Sequence, residues 1–477
     1  MKHKLLTACL CAGLLTPAFA SANPEPTAYN ARSIAMGLTG ATYYDGASAL
    51  VLNPANLDGI EKLGFEFTFT GLFVNQRAPV QGPNTKVDSG VGFGPLPAGF
   101  IAGRIAPRVV FGGGLYIETG YGSSFSGVKC MDGAPVGGPP NYTPDTDPAT
   151  CTNPDPQNLD VTFFVGEFAG GFSFHAHDKL SLGLALRIPF AKQTADLWQN
   201  VGAALGGSFY GRVKNDLGGI GFPSIRFGFT FKPHPKVRIS AMYRMYSKIK
   251  MTGTTETALA PGADPLTLDA AANWVVPNAV QFGISYQANK HLLLAFETRL
   301  QFHGAKKTGN SDQTVTATDP NGLLPTTTIV VPFGWRNVWS LKLGFEYRFM
   351  KDLLALRLGA NVAQGATTAA FAQYFTPPPA PGNLASVMGG LGFYWDDRND
   401  PSIKDKYRLD LGGLFAFTND TLGNEYIGTE QLIPGQDPND PNSFVKVCSD
   451  EQVVRTGCPG QYRVFSYWAS VTFTLQY

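Results

Sequence analysis

YRVFSYWASVTFTLQY, residues 462–477, alternates without interruption. Phe465, Tyr467, Ala469, Val471, Phe473, Leu475 and Tyr477 fall on one face, and Ser466, Trp468, Ser470, Thr472, Thr474 and Gln476 on the other. A period of two is that of a β-strand with one apolar and one polar side. Sandwich strands usually run to about 5–6 residues, whereas a tilted strand needs roughly 9–11 to cross a bilayer. This segment is long enough to cross and to overhang.

The same pattern recurs. GFEFTFTGLF sets Phe65, Phe67, Phe69 and Phe73 opposite Glu66, Thr68 and Thr70, and SIRFGFTFK sets Ile225, Phe227, Phe229 and Phe231 opposite Ser224, Arg226, Thr230 and Lys232. In WRNVWSLKLGFEYRF, Trp335, Trp339, Leu341, Leu343, Phe345, Tyr347 and Phe349 oppose Arg336, Ser340, Lys342, Glu346 and Arg348. Fourteen such segments lie near 63–75, 97–106, 108–121, 159–176, 180–190, 217–232, 236–251, 277–288, 291–303, 334–349, 352–364, 384–397, 406–418 and 461–477. Their connections alternate in length. Tight turns fall at Pro107, His177-Asp178-Lys179, Pro233-His234-Pro235, Asn289-Lys290 and Met350-Lys351, with a longer one near 398–405. Long polar loops cover 76–96, 122–158, 191–216, 252–276, 304–333, 365–383 and 419–460. An even strand count with short turns at one end and long loops at the other is the pattern of an outer-membrane barrel. The expected fold is therefore all-β, a 14-stranded antiparallel transmembrane β-barrel. A large soluble sandwich fits less well, because aromatics crowd the ends of the apolar faces and charges stand in mid-strand on the polar ones.

The leading residues name a compartment. MKHK is basic, LLTACLCAGLLTPAF is apolar, and Ala20-Ser21-Ala22 is an A-x-A cleavage site, so residues 1–22 are expected to be a secretory signal peptide. Cleavage leaves Cys130, Cys151, Cys448 and Cys458. Four cysteines allow three connectivities, of which local pairing, Cys130–Cys151 and Cys448–Cys458, is the simplest. A net charge of +1 with 15% charged residues gives no reason to expect a nucleic-acid partner. There is no G-x-S-x-G, H-E-x-x-H or Walker sequence, and His175-Ala176-His177 stands at a tight turn without a cysteine or carboxylate cluster. No enzyme activity, cofactor or metal is expected.

Residues 23–62 precede the first strand. Within them DGASALVLNPANL (45–57) follows neither a strand nor a helix period, yet it is too apolar for a solvated tail. A barrel of fourteen strands has a lumen wider than its own side chains fill, and a compact segment of small residues suits that space. The segment is expected to be a plug.

NARSIAMGLTGATYYDGASALVLNPANL (30–57), followed at once by an alternating strand, resembles the N-terminal hatch of FadL/TodX-type transporters. Those outer-membrane proteins pass long-chain fatty acids and aromatic hydrocarbons. Asn53, Pro54 and Ala55 stand where the family's NPA motif stands; WRNVWSLKLGFEYRF (335–349) is similar to its W-(R/K)-(D/N)…LG-x-x-Y strand. The terminal aromatic strand ending in Tyr477 is similar to the signal read by the barrel assembly machinery. The resemblance implies a barrel over 63–477 with long extracellular loops, plugged by a hatch over 23–62, in the outer membrane of a Gram-negative bacterium. It also implies capture of a hydrophobic ligand at the extracellular face, passage to a pocket against the hatch, and release through a gap beside a kinked third strand. Partners expected are that ligand, membrane lipid and the assembly machinery, with the protein acting as a monomer.

Several residues are candidates for these steps. Gly112-Gly113-Gly114 in the third strand weaken it and are expected to break the wall, although they would equally suit close packing under the hatch. Among lumen-phase cations, Arg244 and Arg299 are the candidates for a ligand carboxylate, set against the ordinary role of such charges in bracing a barrel. In loop 191–216, Leu197, Trp198, Val201 and Leu205 have the spacing of a short amphipathic helix. With Phe209, and with Phe371 and Phe375 of 365–383, Leu197, Trp198 and Val201 are candidates for extracellular capture. Passive hatch-gated transport of a hydrophobic molecule is the leading reading. A water-filled porin for polar solutes and a surface adhesion protein are the alternatives.

Overall fold

The computed structural model describes residues 29–79, 86–128, 157–200, 210–257, 264–310, 312–322, 326–333, 335–367, 382–396, 406–422, 430–431, 445–446 and 460–477. The signal segment, the four cysteines, Val201, Phe209, Phe371 and Phe375 lie outside them, as do the side chains of Leu197 and Trp198.

All fourteen expected segments are strands. They are β1 (Leu63–Ala78), β2 (Gly92–Ala106), β3 (Val109–Val128), β4 (Gln157–His177) and β5 (Leu180–Asn200). Five further strands are each built from two segments: β6 (Tyr210–Ile220, Ser224–His234), β7 (Val237–Arg244, Ser247–Thr257), β8 (Leu266–Val276, Ala279–Gln287), β9 (Leu292–Gln301, Asp312–Thr318) and β10 (Thr327–Pro332, Val338–Phe349). The circuit continues through β11 (Leu354–Ala363), β12 (Leu384–Trp395), β13 (Tyr407–Leu422) and β14 (Gly460–Gln476). Sequence neighbours pair antiparallel, and β14 closes on β1 from Gly64↔Gln476 to Arg77↔Arg463. Closure leaves no outer edge, as hydrocarbon requires.

Side chains alternate as the period of two demands. Phe67, Phe282 and Leu343 point outward and are 57%, 56% and 55% exposed, while inward-facing Thr68, Thr472 and Glu297 are buried. Large apolar residues outside and polar ones inside invert the pattern of a soluble protein and match a lipid-facing wall.

Three expectations change. The strands run past their predicted limits, so 191–200 is not a loop bearing a helix: Leu197 pairs with Val213 and Trp198 with Arg212. Four apolar residues at helical spacing specify little when a partner strand is available for the same backbone. Residues 92–96, expected in a loop, are strand paired to β1. Trp335, expected outward beside Trp339, is buried, because the β10 ladder is interrupted between Pro332 and Val338 and the alternation is not carried across.

Residues 29–62 fold inside the barrel. They form helix α1 (Ala31–Ala35), helix α2 (Ala49–Leu52) and a 3₁₀ turn over Pro54–Gly59. Asn30 caps α1, its side chain accepting from the Ser33 amide at 2.7 Å, and Pro54 opens the 3₁₀ turn. Ile34, Met36, Leu50, Val51, Leu52 and Leu57 are all buried. Such short helices are not stable alone, so their shape is imposed by the wall around them.

The wall makes room by omitting side chains. Gly344 on β10 and Gly359 on β11 lie against the Met36-Gly37 turn, Gly390 on β12 against Ala35, and Gly412 on β13 against Ala31. Gly183 on β5 and Gly228 on β6 lie against Asn53-Pro54-Ala55. A Cβ at any of these positions would overlap a plug atom. Gly113 on β3 differs, since the nearest atom to its Cβ position is the Ala169 carbonyl at 3.7 Å. Gly359→Val is accordingly expected to displace the plug and raise ion conductance in planar bilayers, while Gly113→Val leaves conductance unchanged. Heat-modifiable migration on gels reports that both barrels still fold.

Candidate functional site

Asn53 ties the plug to the wall. Its Nδ2 donates to the Ala41 carbonyl (2.8 Å), to Thr230 Oγ1 (2.9 Å) and to the Phe229 carbonyl (3.2 Å), while its Oδ1 accepts from the Ala55 amide (3.2 Å). Asn56 reaches the same carbonyl and Thr230, both at hydrogen-bond distance. An amide is the side chain that both donates and accepts here, and the proline locks the chain against Gly183 and Gly228.

Four inward glutamates hold the rest of the plug. Glu66 on β1 accepts from Tyr44 Oη (2.8 Å), Ser48 Oγ (2.6 Å) and the Ser48 amide (3.1 Å). Glu297 on β9 accepts from the Gly40 amide at 2.8 Å. Glu346 on β10 grips Arg32 through two bonds of 2.8 Å, and it also accepts from Arg357 at 2.7 Å. Glu118 on β3 accepts from Tyr29 Oη at 2.6 Å. Asp45 of the plug lies 3.0 Å from Arg408 and 3.7 Å from Arg32. Desolvation works against its carboxylate, but those two guanidinium groups outweigh it and hold its pKa below the usual range.

Glu118 marks a defect in the wall. The β3–β4 register slips between Ile117 and Thr119, a bulge at inward-facing Glu118 after which the inward phase passes from even residues (Tyr116, Glu118) to odd ones (Thr119, Ser123, Phe125). There it meets Arg244, Arg226 (3.4 Å) and Arg299 (3.7 Å). Arg244 donates in addition to the Pro277 carbonyl at 2.8 and 3.1 Å. Neighbouring Glu167 pairs with Arg187 at 2.9 Å and accepts from Tyr116 Oη. Arg244 and Arg299, expected on a ligand carboxylate, are thus brought together, and both are engaged by the protein's own glutamate.

Beside this bulge the wall parts. β2 pairs with β3 only from Gly99↔Leu115 to Ala106↔Val109, although β2 continues along β1 to Gly92 and β3 along β4 to Val128. Among the described residues, 92–98 and 116–128 share no ladder. Two prolines explain the parting. The Arg104 amide donates to Lys62 on the β1 side, so alternation points the nitrogens of odd residues in β2 toward β3. Pro95 and Pro97 are odd, and they lack the hydrogens that a ladder there would use. Gln76 spans part of the gap, its Nε2 donating to the Gly122 carbonyl at 2.7 Å. Phe100 and Tyr116 stack across its lower lip at 5.8 Å, and Tyr29 meets Tyr116 edge-on at 5.1 Å.

The three glycines do not break the wall. Gly112, Gly113 and Gly114 pair with Ala102, Ile101 and Phe100 on one side and with Gly171, Gly170 and Ala169 on the other. A Cβ on Gly112 would stand 3.3 Å from Leu57 of the plug, and Gly114 leaves the space that the Phe100 ring occupies. They form the sill of the gap. The prolines and the bulge, which sequence reading passed over, form its sides; a P-x-P inside an alternating run was the available signal.

Above the plug the inward face turns apolar. Along β1 the inward series Glu66, Thr68, Thr70 is followed by Leu72, Val74 and Gln76, and along β14 Thr474, Thr472, Ser470 is followed by Trp468, Ser466 and Val464. Phe163 and Trp274 stand 4.4 Å apart, Trp274 and Trp335 5.5 Å, and Phe333 and Trp335 5.3 Å. One continuous apolar cluster runs from Ile34 of the plug through these rings.

The sequence profile described as outer membrane protein transport protein (OMPP1/FadL/TodX) matches residues 12–397. The fold is similar to that of a Pseudomonas aeruginosa FadL homologue, with 16% identity, a TM-score of 0.68, and 96% of this chain and 100% of that one covered. It is similar also to the Ralstonia pickettii toluene transporter TbuX, at 18% identity and TM-score 0.67, covering 94% and 98%. The Pseudomonas putida toluene transporter TodX gives 16% identity and TM-score 0.65, covering 97% and 100%. No curated protein sequence matches significantly.

Replacing Asn53 by Ala strips the plug of its clasp on β6, takes a donor from the Thr230 hydroxyl and leaves the Ala55 amide without its acceptor. An unsatisfied buried group costs about 1–3 kcal/mol. Asn53→Ala should therefore raise ion conductance and lower the temperature of the heat-induced mobility shift.

Proposed function

Because the chain belongs to the OMPP1/FadL/TodX family of outer-membrane transport proteins, we propose that it passes neutral hydrophobic molecules inward and releases them sideways through the β2–β3 gap. It is a transport channel of the outer membrane and not an enzyme. Toluene-sized aromatics are the preferred cargo and long-chain fatty acids the secondary one. The parting of β2 from β3 above an intact triglycine sill is the observation that carries the release step.

Cargo is caught by extracellular apolar side chains, with Leu197, Trp198, Val201, Phe209, Phe371 and Phe375 in that role. It then enters the aromatic lumen around Trp274 and Trp335, where burial of apolar area supplies the affinity. The plug closes the route downward, which leaves the wall. Tyr29, Phe100 and Tyr116 stand at the gap, so displacing one ring connects lumen and lipid. Movement follows the concentration gradient and uses no cofactor. Commitment of Arg226, Arg244 and Arg299 to Glu118 favours a neutral cargo, because a carboxylate would have to displace an existing buried partner. A packed plug bound on most sides weighs against an open porin for polar solutes.

Uptake of radiolabelled toluene and oleate into cells expressing the protein tests this reading. Deleting Glu118 removes the bulge and realigns β3, whereas Glu118→Gln keeps the backbone and loses only the charge. Toluene uptake should fall to the vector level in the deletion and persist in Glu118→Gln. Normal uptake by a folded deletion variant would exclude the lateral route.

A further inference from the structure

Beneath the plug, at the periplasmic mouth, lies a second cavity that hydrocarbon transport does not use. It is a cleft of about 330 Å³ between the plug and the ends of β7, β8 and β10. Its walls are polar and rich in cations: Lys236, Arg238, Lys290 and Arg348, with Arg32 at the floor and His291 beside them. A volume of that size is at the lower end of small-ligand sites.

The carboxylates of the cleft are already occupied. Asp45 is held by Arg408 and Arg32, Glu346 by Arg32 and Arg357, and Asp352 lies 3.3 Å from His291 Nδ1. Arg32 and Arg348 are matched by Glu346, but Arg238, Lys236 and Lys290 are not matched in the same way. Arg238 projects inward from β7 beside its register partner Ser285. Among the described residues its guanidinium has no hydrogen bond or ion pair within 4 Å, and it acts on Asp45 only at longer range, behind Arg408 and Arg32. Lys290 is exposed on the β8–β9 turn, and Lys236 Nζ makes one bond, to the Ala288 carbonyl at 3.2 Å. Ser285 is buried at 3% exposure and adds a hydroxyl donor.

We infer that this cleft is a binding site for a small oxyanion, a phosphate or a carboxylate, held by Arg238 with Lys236, Lys290 and the Ser285 hydroxyl. The planar guanidinium presents two parallel donors to such a group, and the ammonium groups supply charge without fixed direction. The site lies on the opposite side of the plug from the aromatic lumen, so it is independent of cargo. Its floor residues Arg32 and Asp45 are those that hold the plug, so an anion here sets the charge seen by the plug's ion pairs.

The test is calorimetric titration of inorganic phosphate into the full-length mature protein in non-ionic detergent, at constant ionic strength, with chloride as the reference anion. Saturable binding at one site per chain is expected, weakened about tenfold in both Arg238→Gln and Lys290→Gln. Heat-modifiable migration and toluene uptake should be unchanged in both variants. Nanodiscs separate the sources of the oxyanion: weaker apparent phosphate binding in phosphatidylglycerol than in phosphatidylcholine assigns a lipid headgroup, and equal binding assigns a free anion. Absence of saturation above chloride, or wild-type affinity in a folded Arg238→Gln protein, overturns the proposal.

Discussion

In hydrocarbon, a backbone amide that finds no partner inside the protein finds none at all. That constraint rolls the alternating segments into a ring closed between β14 and β1, and it makes any parting of the ring expensive. The β2–β3 gap is tolerated because part of its cost is removed at source. Pro95 and Pro97 have no hydrogens to leave unpaired, and Gln76 satisfies the Gly122 carbonyl opposite. The same two prolines that forbid a ladder on one side of β2 leave its ladder to β1 intact.

The plug obeys the constraint from within. Its short helices leave many backbone and side-chain donors unpaired, and the wall answers with glutamates on four strands, each accepting from a plug group. Glycines on β5, β6 and β10 to β13 let the wall backbone come directly against the plug. Buried ion pairs such as Arg32–Glu346 confer little net stability relative to apolar packing. Breaking one, however, leaves an uncompensated charge, at a cost of about 3–5 kcal/mol. The arrangement therefore specifies one position for the plug more than it stabilises the barrel.

Polarity along the bore follows from these two demands. Where the plug sits, inward positions are Glu, Arg, Thr, Ser and Gly; above it Leu, Val, Phe and Trp take most of them, with Gln76, Ser466 and Thr418 among them. A hydrophobic molecule gains by entering the upper lumen and meets a charged, filled floor below. The Glu118 bulge stands at this boundary, joining β3, the plug's Tyr29 and the arginines of β6, β7 and β9.

Much of this was legible in the chain itself. Period-two alternation located every strand, short and long connections set the topology, and the NARSIAMG…NPANL segment announced a plug, because all of these are written in local order. Arg244 and Arg299 were recognisable as lumen residues, and alternation puts Glu118 on the inward face with Tyr116, but that the three meet is a matter of register between distant strands. Trp335 was placed outward because a break in the β10 ladder shifts which face a residue occupies. The glycines of β3 read as a rupture, yet only pairing with β2 and β4 shows them as an intact sill. Alternation is a local property and survives in sequence; register, and with it the meeting of residues far apart in the chain, exists only once the ring has closed.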